Sequence, residues 1–376
     1  MAEVEEIDIR ESEEYSDLQK MDMKEKNLDV SKCPNCGATT AFDAATQKLK
    51  CDHCGTELDF AKEYANQERA IEELLGASTP WDEDTSVFRC DNCGAVEVVH
   101  STELAKDCPY CRSTSVVKSD QVAGLKPYSL LPFALTQARA GECVENWVRK
   151  KAYAPGKYKK AFRAENLRGV YNPAFTFDSK TFSTYKGKLG RHETRTRRGA
   201  NGQTETYTET VWFYVSGTWN DFFDDILIQA STTIAQKTID KLSPFHLLSA
   251  QKYVPNYLYG YSANQYNRDG MDCWADARRV IDKSLYRKIL GQYHYDTIGY
   301  MNIDTYCSNV TFKYLLLPIY VGASKFKNKV FNYFVNGVTG KVYGKSPLSG
   351  FKVFLTIAIP LVAVGIGALV WYLTQK

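Results

Sequence analysis

The chain has 376 residues, enough for more than one domain and for a sizeable core. Its near-neutral total of +3 hides an asymmetry: residues 1–30 hold eleven Asp or Glu against four Lys or Arg, residues 149–200 hold fifteen bases against three acids, and no acid follows Asp304. An aromatic content of 13% favours strands, and an acidic start without an apolar stretch argues against a secretory signal peptide and hence against a disulfide framework.

Residues 1–30 are poor in apolar side chains and read as disordered. A zinc ribbon is expected over 31–58, from Cys33-Pro-Asn-Cys36, fourteen intervening residues, and Cys51-Asp-His-Cys54. A second is expected over 87–118, from Cys90-Asp-Asn-Cys93, again fourteen residues, and Cys108-Pro-Tyr-Cys111. Every cysteine of the second set lies 57 positions after its counterpart, which reads as a tandem duplication. A tight turn in C-x-x-C brings two sulfurs to one ion, and a hairpin returns the chain with the other pair. Gly37, Gly55 and Gly94 follow their knuckles to relieve the crowded backbone; Arg112 breaks the pattern. Four thiolates close a tetrahedron and leave no position for water, so two such Zn²⁺ ions organise structure rather than catalyse. A small ribbon has almost no core, and metal binding supplies its folding energy. Iron in a rubredoxin-like site is the chemical alternative. His53, inside the second knuckle, reads as a solvent-facing turn residue.

Between the ribbons, Asp59 to Gly76 suits a connecting helix within a 59–86 linker, with Phe60, Tyr64, Ile71, Leu74 and Leu75 as a sparse stripe. An α+β domain is expected over 125–348. Its helices are read near Thr136 to Lys151, carrying Ala138, Cys143, Val144 and Trp147, and over Asp272 to Leu290, carrying Trp274, Ala277, Val280, Ile281 and Leu285. Its strands are read over 171–185 and 204–218, with 186–203 as a basic, glycine-containing loop between them, and over 298–307 and 311–321. A hairpin follows, in which Asn336-Gly337 is the preferred turn pair. An antiparallel sheet with a few helices summarises the domain.

Residues 353–373 run for 21 positions without a charge, about 31 Å as a helix against a hydrocarbon core of roughly 30 Å. Trp371 and Tyr372 suit the far interface. Lys325, Lys327, Lys329, Lys341, Lys345 and Lys352 precede the segment and a single lysine follows it. The positive-inside tendency then predicts a tail-anchored, single-pass protein of the cell membrane over 352–373, with its N-terminal domains cytoplasmic. The basic stretch of Lys150, Lys151, Lys157, Lys159, Lys160, Arg191, Arg195, Arg197 and Arg198 is open to three readings: nucleic-acid phosphates, anionic lipid or an acidic protein partner, or a solvated loop. Lys325, Lys327 and Lys329 join it as lipid or partner contacts.

The pieces CPNCGATTAFDAATQKLKCDHCG, FRCDNCG with CPYC, LKPYSLLPFALTQARA, GVYNPAFTFD, YLYGYSANQY, LLLPIYV and FNYFVNGVTGKVYG, in that order, resemble a group of bacterial membrane-anchored tandem zinc-ribbon proteins. Members are often labelled TFIIB-type zinc ribbon or relatives of the primosomal helicase PriA, and some partner PspA-like or SPFH/flotillin-like membrane proteins in envelope stress. The chain departs from the group at Pro173 and in its basic 186–203 stretch, and it carries no helicase motor motif. The resemblance implies a membrane-bound adaptor that recruits protein partners, and it carries over the eight cysteines and no catalytic residue. No H-E-x-x-H, G-x-x-x-x-G-K-[ST], G-x-G-x-x-G or G-x-S-x-G occurs, so the expectation is a scaffold and not an enzyme. A membrane-associated nucleic-acid regulator using the ribbons and the basic region is the alternative.

Overall fold

A computed structural model describes residues 32–65, 68–75, 85–100, 107–119, 125–164, 167–198, 203–327 and 329–375. The acidic segment 1–30, expected to be disordered, lies outside them. The first ribbon is a separate three-stranded sheet, β1 (Thr40–Asp43), β2 (Lys48–Cys51) and β3 (Glu57–Leu58). Alternation turns Phe42 and Leu49 inward. Phe42 then meets the Tyr257 ring edge-on at 5.1 Å, and its amide donates to the Tyr259 carbonyl at 2.9 Å, which fixes the ribbon to the body.

The helix expected over Asp59–Gly76 is not formed. Its backbone finds partners on the body instead: the Glu63 carbonyl accepts from the Lys252 amide, the Ala65 amide donates to Ala250, and β4 (Arg69–Ala70) pairs with Thr311 and Phe312. Among the described residues of this segment only Ile71–Leu75 is helical, as a 3-10 turn. Ile71 and Leu74 of the expected stripe do pack inward, whereas Tyr64 and Leu75 are exposed. An open sheet edge outcompetes a short isolated helix.

The second ribbon, β5 (Thr85–Cys90), β6 (Val96–His100) and β7 (Val116–Ser119), is part of the main sheet rather than a free module. That sheet continues through β8 (Ser129–Leu130). Helices α1 (Gln137–Lys150) and α2 (Gly156–Ala161) follow. Thr136 caps α1 as expected, and Ala140, Gly141, Val144 and Val148 form its buried face, with Ala138 exposed. Strand β9 (Arg168–Arg198) then pairs along nearly its whole length with β10 (Thr204–Gln229). After α3 (Gln236–Leu242) come β11 (Gln251–Lys252) and β12 (Ser262–Asn264), the strand that joins β6 to β9. Helix α4 (Gly270–Leu290), capped by Asp269, precedes β13 (Thr297–Phe326), β14 (Lys329–Asn336), β15 (Val342–Gly344) and the terminal α5 (Gly350–Thr374).

Two expectations about the strands are corrected here. The basic loop over 186–203 is strand as far as Arg198. Its threonines are good strand formers and its charges meet opposite charges across the pair: Arg195 binds Glu209 at 3.1 Å and Arg197 binds Glu205 at 3.0 Å. The two strands read over 298–307 and 311–321 are one strand, interrupted by a register shift at Ser308/Thr311 where Asn309 takes a positive φ of 50°. The turn after β14 is also wider than Asn336-Gly337: Gly340, not Gly337, has the positive φ, and the Asn336 carbonyl accepts from the Gly340 amide.

Strands β10, β9 and β13 therefore form a three-stranded arm over residues 174–190 of β9, roughly 55 Å at about 3.3 Å per residue, which continues to Arg198 as a two-stranded hairpin of β9 and β10. Helix α4 covers one face: Cys273, Ala277, Ile281, Leu285 and Ile289, all fully buried, pack with Phe175, Phe177, Tyr185 and Phe223. Val280, read as part of that stripe, is exposed.

Candidate metal centres and the surfaces around them

Four C-x-x-C turns share one backbone geometry. The residue after each second cysteine, at Gly37, Gly55, Gly94 and Arg112, has a φ between 62° and 74°. Its amide donates to the first cysteine's carbonyl, at 2.8 Å for Gly37 and Gly94, 2.9 Å for Gly55 and 3.0 Å for Arg112. The first cysteine's amide donates in turn to the carbonyl of Ala38, Thr56, Ala95 or Ser113. Glycine suits the left-handed conformation. Arg112 adopts it at a cost, and its guanidinium lies 3.5 Å from Asp107, to which Arg168 of the main sheet is also paired.

These turns gather Cys33, Cys36, Cys51 and Cys54 in one group and Cys90, Cys93, Cys108 and Cys111 in another, with the sulfurs of each group within 4.8 Å of one another. Sulfurs from opposite knuckles approach to 3.5 Å in the first group and 3.6 Å in the second. Hydrogen bonds from the Thr56 hydroxyl and amide bring Cys54 down to about 6. Cys36 accepts from the Ala38 amide, yet its contacts with Cys54, Cys51 and Cys33 push it up to about 12. Thiolates this close repel one another, so the full set ionises together only around a cation. The donor sets thus fit one metal ion each. His53 is exposed, outside the group.

The surroundings of the two groups differ. Cys90 and Cys108 belong to the apolar cluster of Leu131, Ile319 and Val321, and the Asn332 amide group donates to the Tyr110 carbonyl between Cys108 and Cys111. The first group rests on its own small sheet, which meets the body through Phe42, Ala44 and Leu49 and through the Gln47 side chain donating to the Phe133 carbonyl at 2.7 Å.

The basic residues fall into two separate sets. Arg191, Arg195, Arg197 and Arg198 lie at the outer end of the arm, where Arg191 donates to the His294 carbonyl and Arg195 and Arg197 are paired with glutamates. Lys150, Lys151, Lys157, Lys159, Lys160, Lys325, Lys327 and Lys329 lie at the opposite end, around the start of α5. Helix α5 is long and apolar enough to cross a membrane, and no part of its most apolar stretch is buried in the protein.

Two features escaped the sequence reading. Glu68 from the linker meets Asp178, Asp225 and Lys313: Lys313 pairs with Asp225 at 3.1 Å and with Glu68 at 3.4 Å, and the Asp178 carboxylate accepts from the Asp225 amide at 2.6 Å. Burial first, then the Glu68 carboxylate beside it, push Asp178 up to about 7. The second feature is the arm's other face. Phe182, Trp212, Tyr214, Phe222, Tyr300 and Tyr306 are all exposed on it, Tyr214 at 73% and Tyr306 at 71%. Between the rings lies a shallow depression of about 610 Å³ lined by Thr184, Lys186, Ser216, Thr218, Asn302 and Asp304. The rings are spread over three strands with polar residues between them, so only the register brings them onto one face.

Over 324 residues the chain is 28% identical to a protein described as uncharacterized protein YdjG, of Bacillus subtilis (strain 168), in a match covering 86% of this chain and 91% of that one. No protein-family model matches the chain, and no solved structure matches it.

Proposed function

We propose that the protein is a membrane-tethered zinc-ribbon adaptor: α5 crosses the bilayer once, the body and arm stand on the cytoplasmic side, and the arm recruits partner proteins. We assign Zn²⁺ to both thiolate groups; tetrahedral Zn–S bonds of about 2.3 Å would give sulfur–sulfur edges of about 3.8 Å, a spacing the cysteines accommodate. Closed four-sulfur sites then serve as struts and leave recognition to another surface.

The observation that carries this reading is the uncovered aromatic face of the arm. Six large exposed rings on one sheet face are far more than a solvated surface needs, and aromatic side chains are what protein interfaces use as anchors. Lys180, Lys186 and Lys188 alternate among the rings, which favours an acidic partner segment. The anchor-proximal lysines, against a single lysine beyond the helix, support the cytoplasmic orientation. Resemblance to the tandem zinc-ribbon group makes PspA-like or flotillin-like membrane proteins the first partners to examine.

The test is affinity purification of the full chain from solubilised membranes beside a Tyr214→Ser/Tyr306→Ser variant. Both side chains are exposed, so metal content and membrane retention should be unchanged while co-purifying partners fall severalfold. Unchanged partner recovery would remove the arm from the mechanism.

A further inference from the structure

The sequence separates Lys150–Lys160 from Lys325–Lys329 by more than 160 residues, and the fold brings them together at one place. The stretch 152–158 touches both. On one side it holds the first turn of α5: the Ser349 amide donates to the Tyr153 carbonyl at 2.8 Å, and the Lys352 ammonium donates to the carbonyls of Ala152 and Ala154 at 3.1 and 2.9 Å. On the other it holds the β13–β14 hairpin end: the Tyr158 hydroxyl meets the Ser324 hydroxyl at 2.8 Å, and the Tyr158 ring meets Phe326 at 5.4 Å. The body is thus clamped to the root of the helix.

We propose that this clamp is a collar that binds anionic phospholipid headgroups; it rests on the reading of α5 as a membrane span. The uncharged run begins one residue after Lys352, which puts the clamped turn at the edge of the hydrocarbon, inside the headgroup layer. Three lysines of the patch are already engaged, Lys151 over the Trp147 ring at 4.2 Å, Lys159 on the Arg149 carbonyl at 2.8 Å and, more loosely, Lys327 over the Phe326 ring at 6.0 Å. Lys150, Lys157, Lys160, Lys325 and Lys329 remain, and no carboxylate pairs with any of these or with Lys327 among the described residues. Along the chain, residues 150–164 and 305–376 contain no Asp or Glu, and the next acid after the first stretch is Glu165. The acids on α1 are satisfied by arginines, Glu142 by Arg139 and Glu145 by Arg149. Exposed Tyr153 and Val330, with Phe351 at the helix start, provide apolar contacts of the kind that sit at the lipid–water boundary. An unpaired basic cluster held at headgroup depth attracts anionic lipid within a Debye length of the surface.

The full-length protein is reconstituted in phosphatidylcholine vesicles and in vesicles containing phosphatidylglycerol, floated, and treated with a water-soluble amine-acylating reagent. The modification of each lysine is then read by mass spectrometry, with Lys186 on the arm as the internal control. The collar lysines should be labelled severalfold more slowly in the phosphatidylglycerol vesicles, with Lys186 unchanged and with the difference shrinking at high salt. Equal labelling in the two vesicles, with the protein floating in both, overturns the collar and leaves the anchor standing. Failure to float with either vesicle overturns both. Protection seen only on adding cytosolic protein, and in both vesicle types, assigns the lysines to a protein partner and overturns the lipid assignment.

Discussion

Asp178 keeps its proton into the neutral range because losing it would set a second negative charge beside Glu68 in a place screened from water. In the unfolded chain the same carboxyl ionises near 4. Between about pH 4 and pH 7 the folded protein therefore holds a proton that the unfolded chain has released, so stability falls as pH rises through this window and is flat above it. Asp178→Asn retains the oxygen that accepts from the Asp225 amide and never ionises. It should raise stability at about pH 8, on the order of 1 kcal/mol, with the gain closing near pH 4. Thermal melts of the two proteins across this range check it, and parallel curves would place the proton elsewhere. The sequence shows Asp178 only as one acid in a strand, because Glu68 and Lys313 reach it through tertiary contacts. The cysteines were legible for the opposite reason: metal geometry fixes their spacing locally. Arg112 shows that the knuckle's demand is on the backbone, since the positive φ survives where the glycine does not.

At the level of elements, legibility followed whether a segment's own pattern decided its state. Helices α1 and α4 have capping residues and an apolar stripe, and both form where their periodicity places them. The 59–76 stripe was real but too sparse, and an available sheet edge claimed the backbone. The outer hairpin misled for another reason: from Arg191 the strand is exposed on both faces and lacks the alternation that marks a half-buried strand, so the stretch to Arg198 looks like a loop. Cross-strand ion pairs and threonines hold it, and each exposed pair contributes roughly 0.2–1 kcal/mol. Arg197→Glu would set two carboxylates opposite each other at Glu205. Amide hydrogen exchange should quicken through 191–198 and 204–211, while the melting temperature of the body stays within experimental error. Unchanged exchange there would mean the backbone ladder alone suffices.

On the scale of the whole molecule, two centres with identical donor sets have different mechanical roles, because one ribbon is docked on the body and the other is built into it. The first attaches through Phe42, Leu49 and a few hydrogen bonds, so losing its ion frees a small sheet. The second shares β6 with the main sheet through β12, buries Cys90 and Cys108 in the core, and is pinned at Asp107 by Arg168. Its loss opens the sheet edge and uncovers apolar surface around Ile319 and Val321. Metal removal is therefore expected to be asymmetric. Cys33→Ser should lower bound metal by one equivalent and leave the body's melting temperature almost unchanged. Cys90→Ser should lower metal by the same amount but destabilise the body by several kcal/mol, in the range of a core cavity combined with a lost metal site. Metal analysis beside calorimetry separates the two, since the stoichiometry is common and only the melting responds. Equal losses of stability would show that the ribbons are equivalent modules, and the weld between β6 and β12 would then carry no load.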